Sequence, residues 1–533
     1  MGGRRLSIAR FFRGSRDGGS SRTRIKPLKG KTPSLSRPRK AWETRARVEP
    51  SLLVDGLARF FNESGPLYEW ENPNKSRYWQ QELHSFDDLR SKNAPQRDAV
   101  HRALIERWIA QNPPVAGIGW EPDPTARRIG NWLQWLLAGN APVEGMVASL
   151  AQQAHALGKL AEDAPGGHHL ITRARALVFA GTVFEGKVAA GWLRQGMTLL
   201  DTQLGEQILP DGGHIERSPM VHCIVLMELL DLIQLGQLYR TAEIARWLAR
   251  LRDTATALVA WLDGMLHPDA QIPFFNDAAF GVTPTPRAIL DYARHLGAAR
   301  RFVDSTIQHF DMSGYVSVHT REQTALMDIA PLAPEHLPDH AHADTLSFEW
   351  SLFGQRVLVN SGTSEWGDSP ERARQRGTAA HNTVVVNGED SSDLAVGGRG
   401  ARRARVFDIE LGRAGECAVV CASHDGYHRP LRKLTHTREW RVLPGELQVK
   451  DRLSGRYREA VARFHLHPEV EVQTDEHGLL LVLPKGETCH MDIRGGSVEI
   501  QPSTWHPEFG LSVPGKCVTV NFDGPAVETV FRF

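Results

Sequence analysis

A chain of 533 residues is too long for one ordinary hydrophobic core, so two large domains, or about three of the usual size, are expected. Its 63 lysines and arginines stand against 62 aspartates and glutamates, and a net charge of +1 leaves no field that would demand a nucleic acid or a membrane surface as partner. Five cysteines, Cys223, Cys417, Cys421, Cys489 and Cys517, are odd in number and lack metal-finger spacing, so they carry no disulfide or zinc framework.

The first forty residues hold 13 lysines and arginines against the single acidic Asp17, interleaved with Gly, Ser and Pro. Such a segment cannot bury enough apolar surface to order itself, and residues 1–45 are expected to form a basic disordered tail. Arg4-Arg5 ahead of Leu6-Ser7-Ile8-Ala9 has a twin-arginine look, but Arg10 and Arg13 interrupt the apolar stretch and no small-residue cleavage site follows. A solvated tail, or a start codon set too early, is the expectation. From about residue 50 to 296 the pattern is helical: segments 127–137 and 174–180 repeat apolar residues every three or four positions, and 221–238, 242–267 and 285–296 read likewise. Breaks such as Leu209-Pro210-Asp211-Gly212-Gly213 separate them. Amphipathic helices joined by short loops must bury their stripes on one another, as a bundle, solenoid or toroid. Beyond about Arg301 short β-branched runs take over, at 435–443, 447–451, 460–466, 479–483, 498–501 and 518–522, which predicts an antiparallel sandwich or stacked sheets. The domains are therefore 46–300, helical, and 301–533, sheet. No window approaches the apolar length needed to span a bilayer, so a soluble protein is expected.

Three histidines fall in one block, in His340-Ala341-His342-Ala343-Asp344 and in Ala380-His381-Asn382-Thr383, both read as strand-like. Imidazole titrates nearest neutrality of all side chains, so a cluster at a sheet rim can exchange protons, neutralise a carboxylate or hold a metal. Each one alone reads better as a hydrogen-bonding edge residue, and it is the three together that point to a site. Glu216 and Arg217 could bind substrate or merely offset a helix dipole, and Asn276 and Asp277 could contact sugar or cap a segment. Arg372, Arg374, Arg376, Arg399, Arg402, Arg403 and Arg405 would suit a polyanion groove. Trp120 and Trp366 could stack on sugar rings, whereas Trp132 and Trp135 lie on a helix and read as core.

Several segments, in order, resemble the heparinase II/III family of polysaccharide lyases: Leu83-His84-Ser85-Phe86-Asp87-Asp88-Leu89, Gly119-Trp120-Glu121-Pro122, Arg128-Ile129-Gly130-Asn131-Trp132, Asp211-Gly212-Gly213-His214-Ile215-Glu216-Arg217-Ser218-Pro219-Met220-Val221-His222, Pro273-Phe274-Phe275-Asn276-Asp277, and the block 340–382. The resemblance implies an α+β multidomain fold, an N-terminal incomplete (α/α) toroid followed by a C-terminal antiparallel β-sandwich. It implies β-elimination at a 4-linked uronic acid of an acidic polysaccharide or oligosaccharide. The C5 proton is weakly acidic, so the adjacent carboxylate must be neutralised, a base must take the proton, and an acid must protonate the departing oxygen. The candidate catalytic residues are His168, His169, His222 and His340. Arg128, Asn131, Glu216, Arg217, Asn276 and Arg376 are candidates for substrate binding. A substrate of this class implies the cell envelope or periplasm, although no export signal is visible.

Two positions depart from the family. The tyrosine that serves as acid, and often as base, is expected where Val221 stands, directly before His222. The neutralising asparagine is expected in a Gly-Asn-His-Leu stretch that here reads Gly167-His168-His169-Leu170, so His168 takes its place. The lost tyrosine leaves open that His222, His340 or Tyr315 transfers the proton, that the protein has lost elimination and only binds acidic glycan, or that the local match is off by a residue. Some relatives hold a structural zinc with two histidines and an aspartate. The matching positions are His342, His381 and Asn360, and since asparagine is a poor zinc ligand, no cofactor is expected to be required. A hydrolase is disfavoured, because the motif-dense segments lack the paired carboxylates it needs.

Overall fold

The computed structural model describes residues 27–533 apart from 54–55, 161–165, 240–241, 300–305, 336, 395–401, 430–432 and 476–477; Arg399 and most of the basic tail lie outside the described residues. A short hairpin, Leu57–Phe60 with Glu63–Pro66, precedes the nine α-helices described in the N-terminal half: α1 (Arg77–Ser85), α2 (Asp98–Gln111), α3 (Pro122–Leu137), α4 (Met146–Leu160), α5 (His168–Val183), α6 (Lys187–Gln207), α7 (Pro219–Leu238), α8 (Ala242–Gly264) and α9 (Pro286–His295). Their starts follow local chemistry. Ser76, Ser218 and Thr285 each accept a backbone N–H of the following turn, and the latter two precede a proline, whose fixed φ suits the first helical position. α5 packs on α3, α6 and α7, and α7 on α8 and α9, forming an incomplete toroid around a tryptophan-rich core that includes Trp79, Trp108 and Trp132.

Contrary to the expectation from sequence, α7 is long and apolar enough to cross a bilayer, at 20 residues, yet 89% of its apolar window is buried inside the protein. It is apolar on every side because helices surround it. Residues 27–45, expected to stay unordered, instead run along the toroid as far as they are described. Ser36 N–H donates to Val183 O, Arg39 N–H to Leu238 O and Trp42 N–H to Leu137 O, and the Trp42 indole is buried. Their basic side chains face outward while backbone groups and one aromatic ring supply the attachment.

The C-terminal half is an antiparallel β-sandwich. One sheet runs Gly496–Trp505, Val513–Phe522, Ala460–Leu466, Gln355–Leu358, Phe348–Leu352, Gln323–Asp328, Tyr315–His319, Ile307–Phe310, with Val384–Val386 also paired to Ala460–Leu466. The other runs Glu471–Asp475, Gly478–Val482, Thr488–Arg494, Ala526–Arg532, Glu446–Ser454, Thr435–Leu443, Cys417–His424, Val406–Ala414. Strands Thr435–Leu443 and Glu446–Ser454 alternate buried and open residues, the period of a half-buried sheet. Their inner faces meet in one core of Trp350, Phe348 and Phe464 against Trp440, Val449 and Phe531.

Two buried ionic clusters position the histidine block. Between the sheets Arg438 grips Asp451 through Nε and Nη2 and donates from Nη1 to Leu346 O and Asn382 O, tying down both ends of that block. At the seam with the toroid, His267 bonds Glu349 and Ser351 at 2.8 Å each, and the other Glu349 oxygen accepts from Phe274 and Asn360 N–H. The charged groups of both clusters are paired with one another, as burial of charge demands.

Candidate functional site

The site lies where the toroid meets the sheet that contains Phe348–Leu352. α5 begins at Gly167, whose φ is +70° and whose Cβ position would fall 2.2 Å from Glu216 Oε1. Only glycine leaves room there, and Glu216 uses the space to accept the His168 N–H at 2.8 Å, taking over the cap that the helix's own sequence lacks. Gly167→Ala is therefore expected to destabilise the protein by about 1–2 kcal/mol, whereas Gly205→Ala, in open space on α6, is expected to be neutral or stabilising. Denaturant melts of the two variants compare them directly, and equal midpoints would contradict this account.

From Glu216 a chain of polar contacts crosses the seam. His168 Nδ1 stands 3.3 Å from both Glu216 oxygens, and His340 Nε2 stands 3.3 Å from Oε2. His340 Nδ1 bonds Asp277 Oδ2 at 2.8 Å. Asp277, fully buried, also accepts His342 Nε2 at 2.9 Å and both arms of the Arg372 guanidinium at 2.6 and 2.7 Å. Burial raises the Glu216 carboxyl, but the charges of His168 and His340 and the His168 hydrogen bond overcome it and hold the group well below the usual carboxylate range. Asp277 is held down likewise, burial being outweighed by Arg372 and the two histidines. Burial lowers His340, yet the Asp277 bond and the Glu216 charge win and raise it.

Beside this array the half-open His169 ring packs 4.1 Å from that of His168, and its Nδ1 bonds Asp123 Oδ1 at 2.9 Å. Asp123 sits in the first turn of α3 and stays far below its ordinary range, because His169 and Arg127 outweigh its burial. Sequence reasoning misses Asp123: its partner is 46 residues away, and no short-range pattern marks the pair. Trp366, stacked on Phe509 at 4.3 Å, borders the site beside His340 and Tyr78.

His168, His169, Glu216 and His340 thus come together, and the other candidates do not join them. His222 is turned into the toroid core, stacked on Trp261 at 4.4 Å with Nε2 donating to Leu258 O, and burial lowers it to about 3. Val221 is fully buried and offers the cleft nothing. Tyr315 is also fully buried, its hydroxyl donating to Arg217 O. Arg128 lies inside the toroid, bonded to Gln153 and His84 O, and Asn131 is spent on Ser85 O and Asp87. Asn276 braces the seam, donating to Arg217 O and accepting His342 N–H, while Arg376 holds the loop beneath His340 through Ala341 O and Pro338 O. Arg217 lies beside Glu216 but turns its Nε to Ser313 O. The segment 340–344, expected to be strand-like, is a loop of turns that ends before the strand Phe348–Leu352.

His342 Nδ1 and His381 Nε2 face each other at 3.3 Å, but Asn360 does not complete a zinc site with them. Its Oδ1 accepts the Asn382 N–H and its Nδ2, a donor, has no partner. A cation needs a lone pair at that corner.

Deeper in the seam Asp344 and Asp328 form a buried carboxylate pair. Burial raises Asp344 from 3.8 to about 7 despite the Asn276 N–H bond that lowers it, and burial together with the Asp344 charge raises Asp328 well above its ordinary value. A raised acid binds protons more tightly folded than unfolded, so its stabilising contribution is full below about pH 4 and is lost as pH rises through about 7. Asp344→Asn is expected to flatten that decline in a melting series across pH 4–8, and an unchanged slope would exclude Asp344 as its source.

Two family models match the chain: Heparinase II/III N-terminus over residues 106–294, and Heparinase II/III-like, C-terminal over residues 304–533. FtsZ-localized protein C of Caulobacter vibrioides is 27% identical over 500 residues, 87% of this chain and 82% of that protein. The heparin-sulfate lyase of Bacteroides stercoris is 22% identical over 254 residues, which span 44% of this chain and only 38% of the lyase. A crystal structure of heparinase III superposes with a TM-score of 0.69 at 19% identity, covering 89% of this chain and 80% of the other, which shows a shared fold. Toroid, sandwich and the two matched models together place the chain in the heparinase II/III-like polysaccharide lyase family.

Proposed function

We propose that the chain cleaves a uronic-acid-containing acidic polysaccharide by β-elimination, with a histidine in the role of the missing tyrosine. The observation that carries this is the His169–Asp123 pair next to His168: one imidazole oriented by a carboxylate, its Nε2 left for substrate, beside a second imidazole at the neutralising position. His168 and His340 hold the uronate carboxylate and stabilise the charge that develops when C5 loses its proton. His169 takes that proton through Nε2, the bond from C4 to the glycosidic oxygen breaks, and the imidazolium returns the proton to the departing oxygen. Relatives named heparin-sulfate lyases favour a glycosaminoglycan-type substrate. The test is absorbance of the unsaturated uronate while the protein is incubated with heparan-type, alginate-type and other uronate glycans across acidic to alkaline pH. Product that disappears in His169→Ala supports the reading, and absence of product from every glycan defeats it.

A second reading, glycan binding without cleavage, is favoured by the buried Val221 at the tyrosine position. FtsZ-localized protein C, aligned over most of its length, has a name that states a location and no cleavage. Saturable binding of a uronate glycan with no chromophore would select this reading over the first.

A further inference from the structure

We propose that His168, Glu216 and His340 form a binding site for one divalent transition-metal ion of the zinc type. Among the described residues these three are the group of metal-ligating side chains whose donor atoms all lie within 4.8 Å of one another. Once the ion displaces the protons of His168 and His340, two imidazoles and one carboxylate are a donor set that zinc accepts with a fourth position open. The separations carry the argument. Ligands about 2.0–2.1 Å from a tetrahedral zinc stand about 3.3–3.4 Å apart. Glu216 lies 3.3 Å from each histidine nitrogen, longer than the 2.8 and 2.9 Å bonds that His340 and His342 make to Asp277 in the same network. Charge-assisted hydrogen bonds close to the shorter distances, so the Glu216 corner has the spacing of ligands rather than of a completed ion pair. Bringing the two nitrogens to the same edge length takes at most about 1.5 Å of side-chain movement.

The surroundings fit as well. Asp277 holds the far nitrogen of His340, and Arg372 in turn fixes Asp277, which is the outer support a metal-bound imidazole requires. The Glu216 carboxylate is steadied by the His168 backbone N–H. The His340 side chain keeps 15% exposure, so the cluster is reachable from solvent. An anionic sugar approaching His168 otherwise meets the ionised Glu216, and a chelated dication reverses that sign. The site would then serve the carboxylate-binding role in the reading above, but it is read from donor geometry alone and stands whether or not the chain cleaves glycan.

The test uses the full chain stripped of metal with a chelator and titrated with cobalt(II), whose visible bands report four-coordinate binding, followed by displacement with zinc. Saturation at one ion per chain is expected, with at least a tenfold loss of affinity in Glu216→Gln and His340→Gln and none in His309→Ala, an exposed control. Should Glu216→Gln not fold, His340→Gln gives the same reading, its ring being part-exposed. Uptake without saturation, the mark of an adventitious ion only, overturns the proposal. So does a cobalt spectrum retained in both variants, or one lost only in His381→Ala. No glycan enters this experiment, so its failure and the failure of the lyase reading are separate results.

Discussion

Asp277→Ala is expected to cost about 3–5 kcal/mol of stability, the largest loss from any single substitution at the seam. The carboxylate is fully buried and serves Arg372, His340, His342 and Thr363 at once. Truncation leaves the Arg372 guanidinium, itself only 5% exposed, with its charge uncompensated in a dry environment. Leaving a buried charge unpaired costs far more than an intact pair contributes. Asp277→Asn should fall between wild type and alanine, because the amide keeps acceptor capacity but loses the charge. The double variant Asp277→Ala, Arg372→Met should recover part of the loss, since it removes the stranded cation. Denaturant midpoints of the four proteins decide the matter. A loss below about 1 kcal/mol for Asp277→Ala would mean that water reaches Arg372 and that the network does not hold the domains together.

The architecture was legible because it is written in local periods. α3 and α9 repeat apolar residues at helical spacing, and Thr435–Leu443 alternates as a sheet does, so the change from helix to sheet shows in composition alone. The site was only half legible. Ser218-Pro219 announces the start of α7, but that helix is apolar on all sides, so nothing in its pattern says that His222 turns inward. The loop 340–344 mimics a strand through its alternation of His, Ala and Asp, whereas its geometry is set by distant partners, Arg376 below and Asp277 beside it. Asp277 was visible as a capping or sugar-contacting candidate, yet its bond to Arg372 spans 95 residues, a distance no window of sequence covers. The order of residues 27–45 has the same cause: composition reports side-chain hydropathy, and backbone bonds to Val183, Leu238 and Leu137 are invisible to it.

His169→Ala is expected to lower kcat by about 10²–10⁴-fold on any glycan that the protein cleaves, with little change in KM, because the group acts on a proton in flight and does not hold the sugar. Asp123→Asn should cost less, since it removes the charge that orients His169 but leaves the ring in place. His340→Gln should raise KM and lower kcat together, since the residue both holds the carboxylate and stabilises its developing charge, a pattern that distinguishes it from His169. The contrast with His222 is the sharpest. Family position alone makes His222 a candidate, whereas its stack on Trp261 and its bond to Leu258 O predict a variant that melts earlier and turns over normally once folded. Rates for His169→Ala and His222→Ala, each measured on folded protein, therefore separate the two accounts. If His222→Ala abolishes turnover while His169→Ala keeps it, proton transfer does not run through the Asp123 pair, and the cleft must open far enough to bring the core histidine to the substrate.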